Sequence, residues 1–416
     1  MRLTVVGGGS TYTPELVDGI GERSGIDEIV LVDPDEQRLR VVGDFCRRLL
    51  AHAGSPAKLT TTADLERGAD GASAVLLQLR VGGQAARYRD ETFPLEHGCV
   101  GQETTGAGGL AKALRTVPVV LDIAERVREV APEAWIVNFT NPVGIVTRAL
   151  QLEGHTAVGL CNVAITFQRR LARLLDVDHE SVRLEHVGLN HLTWVRGVRV
   201  GGEDVLPRLI EQRAEELAEH VELPAALLRR LGAVPSYYLK YFYTHDEVVA
   251  RQRSSPPRAS VVSDVERNLL KRYSDPSLTA KPDELMLRGG AHYSEAAVRL
   301  VSALTSDGRV EEHVVNVRND GTLAFLPDDA VIETNAQVDA DGARPEAVRP
   351  VEPALAGLIS HVTAYEQLAL EAATRGGRDR VAAALLAHPL IGRHHLAEEL
   401  ADELVRLNAV HLPWAG

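Results

Sequence analysis

The chain has 416 residues, 45% of them hydrophobic and 25% charged, an ordinary globular composition with enough length for two domains over a shared core. Its 45 basic and 58 acidic side chains give a formal charge of −13, and no Lys/Arg-rich run appears, which argues against nucleic acid as the main partner. Apolar runs such as 74–79 break off far short of a membrane span, the opening residues lack a signal-peptide pattern, and Cys46, Cys99 and Cys161 are too few and too scattered for a disulfide framework. The expectation is a cytoplasmic protein with no membrane partner.

In chain order, short β-branched runs at Leu3–Val6, Ile29–Val32, Leu59–Thr62, Ala74–Leu79, Trp135–Phe139 and Ala157–Leu160 predict strands. Helical spacing fills Asp35–Ala53, Leu110–Val130 and Pro142–Leu152, with Pro34 and Pro142 where a first-turn proline is tolerated. This alternation predicts an α/β fold with an N-terminal Rossmann-type, doubly wound parallel sheet. After Cys161 the pattern changes to a strand-like stretch over 182–200, a charged helical region to Leu231, a Pro- and Arg-containing segment through Ala259 and long helices from Glu352. The expected division is a dinucleotide-binding domain over 1–160 and an α+β catalytic and subunit-contact domain over 161–416.

Gly7-Gly8-Gly9-Ser10 follows the first strand and leads into a helix from about Pro14. A pyrophosphate needs backbone N–H groups at a helix N-terminus with no side chain in the way, and Gly7, Gly9 and Ser10 supply such a turn. Gly7 and Gly9 match the first two glycines of G-x-G-x-x-G, whereas Tyr12 occupies the third. Asp33 ends the second strand about where an acid holds an adenosine ribose hydroxyl, which favours NAD over its 2′-phosphorylated form. The alternative is a tight turn with Asp33 as a helix cap.

Four further segments follow in order: 101–106 (GQETTG), 138–142 (NFTNP), 159–162 (GLCN) and 188–191 (GLNH). With the opening GGGSTYTP, and with 238–241 (YLKY), Arg288-Gly289-Gly290 and Asn319-Asp320-Gly321 further on, they make nearly the whole chain resemble family four of the glycoside hydrolases. These NAD-dependent enzymes are an exception to the two-carboxylate rule of glycosidases. The resemblance implies a homo-oligomeric (dimeric or tetrameric) 6-phospho-β-glucosidase that uses NAD and a divalent metal, usually manganese, on a 6-phosphorylated glycoside. It places Cys161 and His191 as metal ligands, although a thiolate donor by itself suits zinc or iron better. It makes Tyr238 the base that removes a sugar proton, with the neighbouring Tyr237 as the alternative register. A phenol with an ordinary pKa of about 10 needs a nearby cation or metal for that role, and Arg258 is a candidate. Arg87, Glu103, Asn141 and Arg258 fall at substrate-contacting positions, and arginine's planar fork suits a phosphate. Asn162 stands where relatives acting on α-linked sugars carry Asp, which favours the β branch.

The implied reaction is redox-assisted elimination: hydride passes from C3 of the sugar to NAD, the C2 proton becomes acidic, the aglycone leaves C1, water adds and the hydride returns. Without the resemblance, Cys161 reads as a core residue and His191 as a structural histidine, and the preferred reading of the tyrosines of 237–243 is an aromatic core patch. The rival functions are an NAD-dependent dehydrogenase of a small hydroxy acid and a non-catalytic NAD-binding sensor.

Overall fold

The computed structural model describes residues 1–21, 25–288, 293–305 and 310–415; Gly289 and Gly290 of the sequence motif lie outside them. Six short strands, β1 (Arg2–Val6), β2 (Glu28–Val32), β3 (Lys58–Thr62), β4 (Ala74–Leu77), β5 (Trp135–Asn138) and β6 (Ala157–Gly159), run parallel in the order β3-β2-β1-β4-β5-β6. Their valine- and leucine-rich runs do not alternate with polar residues because helices cover both faces: Val5, Leu31, Leu76 and Val137 are all fully buried. The strand order reverses between β1 and β4, which opens a crevice at the carboxyl ends of the strands, where such sheets bind ligands.

The second half of the chain adds a hairpin sheet and then returns to the first. The hairpin sheet holds β7 (Val182–Leu189), β8 (Leu192–Val200), β9 (Glu203–Asp204) and β10 (Val234–Pro235). β11 (Glu311–Arg318), β12 (Val331–Asp339) and β13 (Gly342–Pro345) then extend the parallel sheet antiparallel, so that it counts nine strands among the described residues. β11 meets β6 at one register pair, Asn316 with Gly159. A Cβ on Gly159 would lie 2.4 Å from Thr147 Oγ1 and 2.8 Å from Asn316 Cβ, so only glycine lets the helix Val143–Leu152 and β11 close in on this point. The sequence pattern over 260–351 announces none of these three strands.

Helix Glu36–His52 begins at Asp35, whose carboxylate accepts from Arg38 N–H at 3.0 Å, a cap worth about 1 kcal/mol. Its buried stripe includes Leu39, Val42, Phe45, Leu49 and Leu50. Phe45 stacks on Tyr273 of helix Arg258–Tyr273 at 4.5 Å between ring centres, and the Tyr273 hydroxyl donates to Thr11 O at 2.9 Å. That aromatic pair fastens a second-half helix beneath the glycine turn, and cutting Phe45 to alanine costs about 3–5 kcal/mol. The C-terminal helix Pro353–Arg375 packs along the buried helix Gly106–Val130 of the first half. Among the described residues, no helix is long and apolar enough to cross a membrane.

Candidate active site

The carboxyl ends of β1 and β2 form a turn whose shape is fixed by its own bonds. Asp33 accepts from Gly9 N–H at 2.9 Å through one carboxylate oxygen and from Asp35 N–H at 3.0 Å through the other. Gly7 sits at φ 88°, and a Cβ there would lie 2.6 Å from Gln78 O; a Cβ on Gly9 would lie 2.9 Å from the Asp33 carboxylate. Both glycines are therefore required by close approach, as the sequence pattern anticipates. Ser10 Oγ accepts from Tyr12 N–H at 3.2 Å. Tyr12, in the third glycine's place, packs edge-on against Tyr293 and lies under the Arg288 guanidinium. Arg288, which sequence reasoning placed only within a motif, reaches back to this turn: it donates to Thr11 Oγ1 at 2.8 Å and to Ser10 Oγ at 3.2 Å, and pairs with Glu266.

Further along the same edge, Cys161 follows β6, and His191 sits in the two-residue turn between β7 and β8. His191 has φ 64°, a left-handed conformation that non-glycine residues rarely adopt and that often marks a functional turn. Its ring lies flat on Tyr238, 3.7 Å between centres and 6° between planes, and Tyr237 stacks on the other side of Tyr238 at 4.5 Å. Tyr238, the residue the resemblance favours, is thus the tyrosine in direct contact with the histidine. The sulfur of Cys161 is approached by the Asn190 side chain and by the backbone N–H groups of Asn162 and Val163, at the start of helix Val163–Leu175. Asn190 in turn donates to Glu333 Oε2 at 2.9 Å, which also accepts from Asn316 at 3.0 Å. Glu333 escaped the sequence reading, because β12 is brought beside this turn only by the fold. A cavity of about 490 Å³ reaches Cys161 past His186, His313 and Asn335.

Burial sets the proton affinities here. It pushes the Cys161 thiol up, reinforced by Glu333, and holds Tyr238 well above the ordinary phenol, reinforced by Tyr237 and Cys161. His191 is lowered to about 3 by burial and then by Lys112, and Glu333 is raised to about 7 by burial. The neutral imidazole can accept a cation as it stands, whereas the Cys161 thiol must give up its proton to do so, a step that the three donors around the sulfur favour and burial opposes.

A second cluster surrounds Glu103, which is ion-paired to Arg80, to Lys112 at 2.6 Å and to Arg87 at 3.2 Å. Its carboxyl is held well below the ordinary range: burial opposes ionisation, and Arg80, Lys112 and Arg87 outweigh it. Arg87 also binds Glu91 at 2.7 Å, and the other Glu91 oxygen accepts from Ala259 N–H at 2.7 Å. Arg87 and the N-terminus of helix Arg258–Tyr273 are thereby tied together. The Arg258 side chain itself is exposed and donates to Leu287 O at 2.6 Å, so its guanidinium is not drawn onto Tyr238. Asn141 precedes Pro142 across a cis bond, and its Oδ1 is buried with no partner. Asn162 stands at the N-cap position of helix Val163–Leu175, without a side-chain capping bond.

The residues fit the groups the sequence implies. Among the described residues no group of three or more His, Cys, Asp or Glu side chains converges as a metal cage. Cys161 and His191 supply a sulfur and a nitrogen of the kinds that hold a divalent ion, and Tyr238 lies against His191 and near Cys161. The glycine turn, bare of side chains, fits a dinucleotide, and the orphaned Asn141 oxygen fits a sugar hydroxyl.

Comparison with known proteins identifies the family. The family model described as family 4 glycosyl hydrolase matches residues 2–177, and that for the family 4 glycosyl hydrolase C-terminal domain matches 186–391. The chain is 36% identical to the 6-phospho-β-glucosidase of Escherichia coli (strain K12), over 99% of this chain and 96% of that protein. The solved 6-phospho-β-glucosidase of Thermotoga maritima with NAD and glucose-6-phosphate superposes with a TM-score of 0.92 at 34% identity, over 99% of both chains. A second structure of that enzyme, with manganese, NAD+ and glucose-6-phosphate, gives 0.91 at 34% identity over 99% of both chains.

Proposed function

This chain belongs to the family 4 glycosyl hydrolases, and on that premise we propose that it hydrolyses 6-phospho-β-glucosides with bound NAD and a divalent cation, manganese in the first instance. The observation that carries the reading is the stacking of Tyr238 on His191, beside Cys161, at the same sheet edge as the glycine turn. When bound, NAD supplies a reversible hydride acceptor for C3 and the cation a Lewis acid, which together make the C2–H of the sugar acidic.

The chain's own residues do the rest. Gly7, Gly9 and Ser10 receive the pyrophosphate and Asp33 the adenosine ribose. Cys161 and His191 hold the cation. Tyr238 takes the C2 proton, which lets the aglycone leave C1 by elimination before water adds. Burial holds the phenol well above its ordinary proton affinity, so a cation's positive charge would be required for this step. Arg87 and the N-terminus of helix Arg258–Tyr273, joined through Glu91, form the phosphate side, with Arg258 at its rim. Glu103 orients Arg80, Arg87 and Lys112, and Asn141 accepts a sugar hydroxyl. Asn162, with no acid to give a proton to a leaving group, fits good or β-linked leaving groups.

The enzyme works in the cytoplasm, where its free thiols stay reduced, as a homo-oligomer whose contacts come from the 161–416 part. Cleavage of a 6-phospho-β-glucoside with catalytic NAD and manganese, followed by proton NMR of the product in heavy water, tests the reading. Deuterium at C2 is expected. Stoichiometric NADH without aglycone release would instead make the protein a dehydrogenase.

A further inference from the structure

Gln102, Thr104 and His191 form a short relay in which the position of every proton can be worked out. The backbone N–H of Thr104 donates to the side-chain oxygen of Gln102. A backbone N–H can only donate, so the Gln102 atom facing it is the amide oxygen and not the amide nitrogen. The Thr104 hydroxyl lies 2.8 Å from the same oxygen, which has no proton to give, so the hydroxyl spends its one proton there. Only lone pairs then remain on Thr104 Oγ1 toward His191 Nδ1, 3.0 Å away. Nδ1 must carry a hydrogen, and a neutral imidazole protonated at Nδ1 has its free lone pair at Nε2.

We propose that Gln102 and Thr104 are positioning residues that lock His191 in its Nδ1-protonated tautomer, so that Nε2 is the atom that binds the divalent cation. The lock and the tyrosine stack divide the task. Stacking on Tyr238 at 3.7 Å fixes the plane of the imidazole but not which of its nitrogens meets Thr104, since a half-turn about the ring leaves the plane unchanged. The Thr104 bond selects one of the two edges. A histidine ligand held by a hydrogen bond from its other nitrogen is the general way proteins orient such ligands, and removing the partner weakens metal binding about 10- to 100-fold.

The inference rests on the metal reading of the proposed function, so its test keeps the two apart. In metal-free, NAD-bound protein labelled with 15N-histidine, the His191 signals are assigned by their loss in His191→Gln. Nδ1 should appear protonated and Nε2 unprotonated. Manganese affinity is then measured by electron paramagnetic resonance of the free ion. Thr104→Val, equal in shape but without the acceptor, should bind about 10- to 100-fold more weakly, while Thr104→Ser, which restores the oxygen, should stay within about threefold of wild type. A wild-type His191 protonated at Nε2 overturns the lock, whatever the variants do. Unchanged affinity in Thr104→Val, with affinity lost in His191→Gln, also overturns it and leaves the metal reading standing. Wild-type affinity in His191→Gln removes the metal reading and this inference with it.

Discussion

The glycine turn and the Cys161–His191–Tyr238 cluster share one sheet edge but are built in opposite ways. The turn is satisfied before any ligand arrives: both Asp33 oxygens accept backbone N–H groups, and Gly7 and Gly9 are demanded by contacts with Gln78 and Asp33. Its glycines, its carboxylate and their close contacts come from within about 30 residues of chain or from the adjoining strand, while Tyr273, Arg288 and Tyr293 brace the turn from the second half. The cluster draws on residues 102–104, 161, 190–191, 238 and 333, and is left with the buried Glu333 Oε1 unmet. A buried polar atom without a partner costs stability, and one beside the proposed metal ligands suits a site that a ligand completes.

If that contrast is right, damage to the cluster should remove chemistry and leave the cofactor in place. Cys161→Ser and His191→Ala are expected to lose phosphoglycoside cleavage to background while NAD titration gives an affinity near wild type. Full activity in either variant after exhaustive metal removal would sink the metal assignment. Tyr238→Phe keeps the ring that stacks on His191 and removes only the hydroxyl, so folding should be preserved and turnover should drop by about 10²- to 10⁴-fold. A C2-deuterated substrate run alongside should lose its label to solvent in wild type. Retention of the label with a wild-type rate in Tyr238→Phe returns the tyrosine to the core.

The same contrast explains what the sequence disclosed. The six parallel strands, the two glycines and Asp33 could be read because their signals are local: a β-branched run, a turn and an acid at fixed spacing. Cys161, His191 and Tyr238 acquired roles only through the family resemblance, since nothing in their own neighbourhoods says that 161 and 191 converge. β11 to β13, Glu333 and Arg288 were missed for a related reason. The alternation in β12 is broken by Glu333-Thr334-Asn335, and nothing in it reveals that the strand lies next but one to β6 and brings Glu333 to Asn190. Arg258 shows the limit of a position inferred by resemblance: the backbone of its helix reaches Glu91, while the side chain itself goes to Leu287.

Acid should also tell the two regions apart. His186, on the strand that leads to His191, is buried with neither ring nitrogen paired, and burial lowers it to about 4. A lowered histidine favours the folded state fully above its unfolded pKa of about 6.5 and loses that contribution as pH falls toward the folded value, here up to about 3 kcal/mol between pH 6.5 and 4. Comparing wild type with His186→Gln by denaturant melts isolates this slope from that of Glu333, raised to about 7, which runs the other way. The difference between the two proteins should shift toward the variant by about 1.4 kcal/mol per unit below pH 6.5; a constant difference discards the explanation. On the phosphate side, Arg87→Lys keeps the charge but loses the guanidinium, whose Nε lies 2.7 Å from Glu91 and 3.2 Å from Glu103 and whose terminal nitrogens can face a phosphate. A rise in KM equivalent to about 1.5–3 kcal/mol for phosphorylated substrate, with kcat little changed, is expected.

The smallest effect belongs to the turn. Asp33→Asn preserves shape, but an amide has only one oxygen, so of the two N–H groups that Asp33 now satisfies, Gly9 or Asp35, one must face the amide NH2. That costs about 1–3 kcal/mol of local stability if the site is dry and less where water can enter, and Asp33 is only half-buried. NAD binding should weaken by about 1–2 kcal/mol, because a hydroxyl bonded to a carboxylate exchanges it for a neutral acceptor. Removing the negative charge also removes the repulsion of a 2′-phosphate, so the ratio of NAD to NADP affinity should fall more than NAD affinity does alone. Saturating NAD should restore cleavage to near the wild-type rate, since the cluster holding C2 and C3 of the sugar is untouched. Isothermal titration with both cofactors, followed by turnover at saturation, reads all three quantities. A variant whose kcat stays low at saturating NAD would show that the turn and the cluster are coupled, and the division between a self-satisfied cofactor site and a ligand-completed chemical site would not hold.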